Sequence, residues 1–318
     1  MKCFIIFLFL LINSIYLFPQ DSLTLSRNQI RNGDKLIKQQ VEYKNSGRSG
    51  ANVLWDFSNL KTIDDKYQLS FANRDDSLII GTEHRTMYFY EQRGDSLLFW
   101  GYENPTTKMQ NYLPEIIMKF PMGFQAKTGS YFAGEGSYCD RLSLTSIGYS
   151  ESLIDAYGMI VLPNQDTLDN VLRIKTRKLL LDNKFQLNFN GFKDSLKLYS
   201  QTICDSIDYY LKNDSIVLEV ETYRWYVQGY RYPIFETIRT GSMQDSLKSE
   251  YFSTAFFFPP EEHSYLANDD ENLNEQNRLY KAQVALWDGT KSISSDSHYT
   301  LNREISYNVY PNPVQSIL

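Results

Sequence analysis

The feature that most constrains this chain is alternation. Tyr67, Leu69 and Phe71 exchange places with Lys66, Gln68 and Ser70, and Leu218 and Val220 with Glu219 and Glu221. Lys193–Ser200 reads the same way, with Leu196 and Leu198 set against Lys197 and Tyr199. A period of two puts one face of a strand on a core and the other in water, as antiparallel sheets require. Turn formers interrupt the pattern at short intervals: Asn45-Ser46-Gly47, Asn73-Arg74-Asp75-Asp76, Arg93-Gly94-Asp95, Asn190-Gly191 and Lys212-Asn213-Asp214. The 24 Tyr and 19 Phe suit pleated, half-buried surfaces. No long segment stands out with helical spacing. The expected fold is all-β, an antiparallel β-sandwich built as one large or two small units.

Two hairpins are the clearest local units. Met159–Leu162 and Val171–Thr176 flank Pro163-Asn164-Gln165-Asp166, where Pro fixes φ and Asn and Asp bond their own backbone. Ile216–Val227 and Tyr232–Arg239 are joined through Gln228-Gly229-Tyr230-Arg231. A weak boundary at Gly148-Tyr149-Ser150 divides the body into residues 21–150 and 151–260, as separate units or one continuous one. Residues 261–304 are polar and read as a linker. Within them Gln276, Tyr280, Val284 and Trp287 share the spacing of one helix face.

Residues 1–20 read as a signal peptide. Lys2 supplies a positive start, Phe4–Phe18 is apolar except for Asn13 and Ser14, and Pro19-Gln20 ends the run. The run is shorter than the ~20 residues of a membrane span, so no transmembrane segment is expected in the mature chain. Cys3 leaves with the signal, and export to an oxidising compartment leaves two readings for Cys139 and Cys204: a disulfide, or two free buried thiols.

Chemistry-bearing motifs are sparse. The formal charge is -6 without a basic block, which argues against a nucleic-acid partner. His84, His263 and His298 lack a second ligand at metal spacing, and His84 reads as a strand residue. Gly134-Glu135-Gly136 lacks the third glycine of a dinucleotide loop and reads as a bulge or a close backbone approach. Arg93-Gly94-Asp95 is what a hairpin turn looks like. Asp64-Asp65 and Asp75-Asp76 fall in turns, and Asn268–Glu275 lacks the glycine of a calcium loop. No cofactor is implied. Tyr223, Trp225, Tyr226, Tyr230 and Tyr232 form either a stacking platform for sugar rings or a partner, or cross-strand core packing, with the second favoured.

One word recurs: Asp, then Ser or Thr, then an aliphatic residue. Its hydroxyls are Ser22, Ser77, Ser96, Thr167, Ser195, Ser206, Ser215 and Ser246. The direct reading is a turn closed by Asp and Ser with a strand starting at the aliphatic residue. The word also resembles the O-glycosylation acceptor of exported proteins in bacteria with type IX secretion. That marks Ser77, Ser96, Thr167, Ser195, Ser206, Ser215 and Ser246 as candidate acceptors.

The chain ends Tyr307-Asn308-Val309-Tyr310-Pro311-Asn312-Pro313-Val314-Gln315-Ser316-Ile317-Leu318. Tyr310-Pro311-Asn312-Pro313-Val314 resembles the opening strand of the type A sorting domain carried by type IX secretion cargo. Residues 305–318 are then the start of such a domain, truncated after its first strand. The body resembles exported proteins with such tails through Gly50–Ser58, Lys119-Phe120-Pro121-Met122, Gly134–Tyr138, Asn170–Ile174, Tyr223–Tyr226 and Arg231-Tyr232-Pro233. That group has no established activity to carry over. The resemblance implies delivery through the periplasm to the outer cell surface or medium by the type IX machinery. The leading expectation is a binding or structural module whose partner is a glycan or a surface protein. The alternative is a secreted hydrolase acting on glycans or peptides.

Overall fold

The computed structural model describes residues 22–75, 77–181, 196–213, 217–244 and 247–291. These residues are all-β in class. The strands are β1 (Lys35–Val41), β2 (Gly50–Asp56), β3 (Thr62–Asn73), β4 (Leu78–Glu83), β5 (Thr86–Arg93), β6 (Ser96–Glu103) and β7 (Thr107–Lys119). They continue with β8 (Lys127–Tyr138), β9 (Leu142–Val161), β10 (Thr167–Leu181), β11 (Val217–Val227), β12 (Phe235–Gln244) and β13 (Leu247–Phe257). Three helices accompany them: α1 (Leu25–Asn28), α2 (Leu196–Asn213) and α3 (Asp270–Lys291).

The expected sandwich is instead a closed barrel. From β3 to β13 each strand pairs antiparallel with the next, β13 pairs with β1, and β1 pairs with β3. Twelve strands therefore return on themselves, and β2 lies outside the ring, parallel to β9. Alternation is blind to this choice, because a two-faced sheet buries its apolar side equally well against a second sheet or by curling onto itself. Close backbone approach helps it curl. A Cβ on Gly136 would stand 1.9 Å from the Lys108 carbonyl oxygen and one on Gly134 2.7 Å from that of Gln110, beside a register shift between Asn111 and Leu113. Gly134-Glu135-Gly136 thus marks the bulge and close approach expected there.

The unit boundary dissolves for the same reason. β9 runs unbroken through Gly148-Tyr149-Ser150, pairing with β8 on one side and β10 on the other. The ring strands described within 21–150 and those within 151–260 thus belong to one barrel. Both expected hairpins are present, as β9–β10 and β11–β12. Lys193–Ser200 departs from its strand reading: α2 begins at Leu196, with residues 193–195 outside the described set. Its Ile207 is buried with Ala133, Ile147, Leu181 and Val217 on the outer wall.

The outer wall is polar along β3 and β10–β12. Lys66 and Gln68 are exposed. Arg177 pairs with Glu219, and Lys175 and Arg239 both pair with Glu221. A lipid-facing wall would carry an apolar band at such positions. Among the described residues no helix is long and apolar enough to cross a membrane.

Two coverings complete the molecule. The β1–β3 crossover lays Trp55 and Phe57 over the outer wall, edge-on to Trp225 at 6.0 and 5.2 Å. Beneath them Arg173 takes a bidentate hold on Asp155 (2.8 and 2.7 Å) and lies over Trp55, Tyr223 and Trp225. The second covering closes one barrel end. Leu23 bridges Met122, α1 follows, and the β11–β12 loop and residues 258–275 pack over both. Arg231 is its pin: 1% exposed, bidentate to Asp269 (0% exposed) at 2.6 and 2.7 Å, and donating to the Ser26 and Gln29 carbonyls. The expected linker is therefore structured through Lys291. Its polarity misleads because Arg231, Arg31 and Asn272 satisfy Asp269 internally. α3 includes Gln276, Tyr280, Val284 and Trp287, the residues whose spacing suggested a helix.

Candidate ligand-binding lumen

The inward residues of ten barrel strands line a cavity of about 620 Å³. The alternation places them there. Tyr67, Leu69 and Phe71 of β3 face in, as do Val220, Thr222, Arg224 and Tyr226 of β11. Leu36, Ile117, Ile238 and Phe256 add apolar wall from β1, β7, β12 and β13. The closed end forms the floor. Tyr232 stacks on Phe71 at 5.5 Å and donates to Asp34 at 2.9 Å. At the opposite end His84 and Phe252 line the cavity while exposed to solvent, Phe252 at 53%, and so mark its mouth.

Three ion pairs stand in this wall. Lys38 meets Glu83 at 2.6 Å and sits 4.1 Å above the Phe256 ring. Lys178 meets Glu115 at 2.6 Å and sits 4.3 Å from the Phe132 ring. Arg224 pairs with Glu236 on the adjacent strand. The first two join strands that are not neighbours in the ladder: β3 stands between β1 and β4, and β8 and β9 between β7 and β10. Burial works against the charge on Arg224, but the charge and hydrogen bond of Glu236, with the nearby Tyr226 and Tyr90 oxygens, outweigh it and hold the guanidinium above its ordinary value. Burial also pushes up the phenols of Tyr88, Tyr90 and Tyr226, Tyr226 to about 12. At neutral pH these tyrosines keep their protons and serve as hydroxyl groups. The lumen is amphipathic: aliphatic and aromatic faces, hydroxyls, and four cations, of which Lys38, Lys178 and Arg224 pair with lumenal carboxylates and Arg231 with Asp269.

The aromatic run divides between two jobs. Tyr226 and Tyr232 face the lumen, and Trp225 is fully buried on the outer side against Phe57 and Phe235. Tyr223 lies over Arg173, and Tyr230 packs on His263 at 5.7 Å. None of Trp225, Tyr226, Tyr230 or Tyr232 is exposed as a surface platform.

The other sequence candidates scatter. Ser77, Ser96 and Thr167 lie at hairpin turns, Ser77 exposed and the other two half-buried. Ser206 is on α2, so Asp205-Ser206-Ile207 is helical rather than a turn leading into a strand. Ser195, Ser215, Ser246 and the sorting motif Tyr310, Pro311, Asn312, Pro313 and Val314 lie outside the described residues. Cys139 and Cys204 are free thiols, the first exposed at the β8–β9 turn, the second half-buried on α2. His84 occupies the β4–β5 turn with φ 50, not a strand, and meets Tyr67 edge-on at 4.3 Å. Arg93 is engaged by Glu91 at 2.9 Å, and Gly94 takes the left-handed conformation of a turn (φ 58). No group of metal-binding side chains occurs among the described residues.

The lumenal ion pairs escaped the sequence reading. Lys38–Glu83 and Lys178–Glu115 join distant parts of the chain, Arg224–Glu236 spans one hairpin, and each residue reads alone as a polar interruption of an apolar face. Lys38, Glu115, Arg224 and Glu236 on inward positions were the available signal. No family model, characterised protein or solved structure matches the chain.

Proposed function

We propose that this chain is a secreted or cell-surface binding protein whose closed barrel holds a small molecule. The observation that carries the reading is the cavity of about 620 Å³, closed below by an ion-paired floor and open at a mouth marked by His84 and Phe252. That volume falls within the ~300–1,000 Å³ of small-molecule sites, and the mixture of apolar walls with a few fixed polar groups is what such sites use for grip and orientation. A barrel whose interior served stability alone would be filled with side chains.

Delivery by type IX secretion completes the proposal. It rests on the signal-like residues 1–20 and on the resemblance of Tyr310–Val314 to a sorting strand. The exposed turn position of Ser77 also suits the proposed glycan attachment, which needs an accessible hydroxyl.

The test is native mass spectrometry of protein purified from its own source. A non-covalent adduct is expected on the folded chain, released on denaturation and absent from Ile238→Trp, whose indole occupies the lumen. Purified folded protein that carries no adduct, and takes none up from a metabolite extract, refutes the reading. In the same spectra, a denatured mass without added hexose refutes glycan attachment.

A further inference from the structure

We infer that the lumen selects an uncharged amphiphile, a molecule with an apolar body and a few hydroxyl or carbonyl groups, over an anion or a cation of the same size. The inference rests on the lumenal binding reading above. It follows from how charge is arranged rather than from the cavity's size.

Each ionised group on the wall already has its opposite. Lys38 holds Glu83, Lys178 holds Glu115, and Arg224 holds Glu236. Glu115 and Glu236 are buried, and so is Lys38. A carboxylate or sulfonate entering this space would have to pull a cation from its partner and leave a glutamate buried without a counter-charge. An ammonium would strand a cation in the same way. Leaving one member of a buried pair uncompensated is among the costlier changes a protein interior can undergo. An uncharged guest avoids it. Its hydroxyl or carbonyl can share the hydrogen-bonding capacity of paired groups without separating them, since a carboxylate has more acceptor sites than one cation fills.

The remaining wall fits the rest of such a molecule. Leu69, Ile117, Val220 and Ile238 offer aliphatic surface, and the Phe256 ring beneath the Lys38 ammonium adds an aromatic face. Tyr90 and Tyr226 stay protonated and add neutral hydroxyls. Arg231 also borders the cavity, but its charge is committed to Asp269 in the floor.

The experiment compares two fluorescent probes on the full mature chain. Nile red is uncharged, and 1-anilinonaphthalene-8-sulfonate is an anion of similar aromatic bulk. Nile red should bind saturably with blue-shifted emission, at least tenfold tighter than the sulfonate, and Ile238→Trp should weaken it at least tenfold. Leu69→Trp, on β3, serves the same purpose should Ile238→Trp fail to fold by circular dichroism. Glu236→Gln frees Arg224, so sulfonate affinity should rise at least fivefold. Binding that both lumen-filling changes abolish, but in which the wild-type barrel takes the sulfonate as well as Nile red, overturns the charge selection and leaves the lumenal site standing. Binding of neither probe, or binding indifferent to filled lumens, overturns the lumenal site and the inference with it.

Discussion

At the scale of single residues, the chain places its charges where alternation alone would forbid them. Arg231 is the extreme case. It sits in a loop the sequence marks only as a connection between two strands, yet its guanidinium is buried and joins α1, the barrel floor and the start of α3. Burial tends to raise the Asp269 carboxyl. The hydrogen bonds from Arg231 and Asn272 and the charges of Arg231 and Arg31 outweigh that, and hold it below the ordinary carboxylate range. Arg231→Ala should therefore cost about 3–5 kcal/mol in urea unfolding, because Asp269 is left buried without its main partner. The double change Arg231→Met with Asp269→Leu should recover most of that loss, since it removes both charges together. A single and a double variant of equal stability would show that the loss comes from packing rather than from the stranded carboxylate. None of this was legible in Asn268–Glu275, whose composition looks like solvated linker. A buried acid is recognisable only when its partner is known, and Arg231 lies 38 residues away in sequence.

At the scale of elements, the strands were readable and their coverings were not. Inward and outward positions on β3, and on β11 as far as Glu221, follow the alternation because a core imposes it directly; beyond that both faces of β11 are covered, so Arg224 faces the lumen and Trp225 the outer covering. The start of α2 reads as a strand because Leu196 and Leu198 flank Lys197, while the helical spacing of Ile203, Ile207, Tyr210 and Leu211 emerges only further along. The floor carries its own pH signature. His263 is 5% exposed, faces the Tyr265 hydroxyl at 3.2 Å and the Tyr230 ring, and burial lowers its pKa to about 3. The ordinary value is 6.5, so below that the unfolded chain takes a proton that the folded one refuses. Stability contributed by neutral His263 is fully present above pH 6.5 and declines as pH falls, by up to about 1.4 kcal/mol per unit. Asp269 and Glu275, both held low, act in the same direction, but only below about pH 4.5. Between pH 6.5 and 4.5 the slope should belong chiefly to His263. His263→Phe keeps a ring against Tyr230 and Tyr265 and should flatten the unfolding midpoint across that interval. An unchanged slope in the variant would assign it to other groups.

At the scale of the whole molecule, closure is the property the sequence concealed. Alternation fixes which side of a strand is buried but not what it is buried against. The pairings that decide it, β13 with β1 and β9 with β10 beyond the end of β8, depend on strand length and stagger. Gly148-Tyr149-Ser150 resembles a turn and left one unit or two open, while in the barrel it lies within β9, where a Cβ on Gly148 would stand 1.9 Å from the Leu179 carbonyl oxygen. Closure also predicts how the chain unfolds. A barrel has no edge from which strands peel separately, and each half supplies the other with neighbours: β1 needs β13, and β8 needs the full β9. Urea unfolding of residues 22–291 should be a single transition, with far-UV circular dichroism and tryptophan fluorescence superimposing. The fragment 22–150 ends inside β9 and presents β1 without β13, so it should show no cooperative transition and should aggregate through its unpaired edges. A fragment that unfolds cooperatively on its own, or two separated transitions in the parent, would mean that the ring is not the folding unit. Cooperative closure would also tie the binding space to the stability of the whole wall: a lumen bounded by ten strands exists only while all of them are paired.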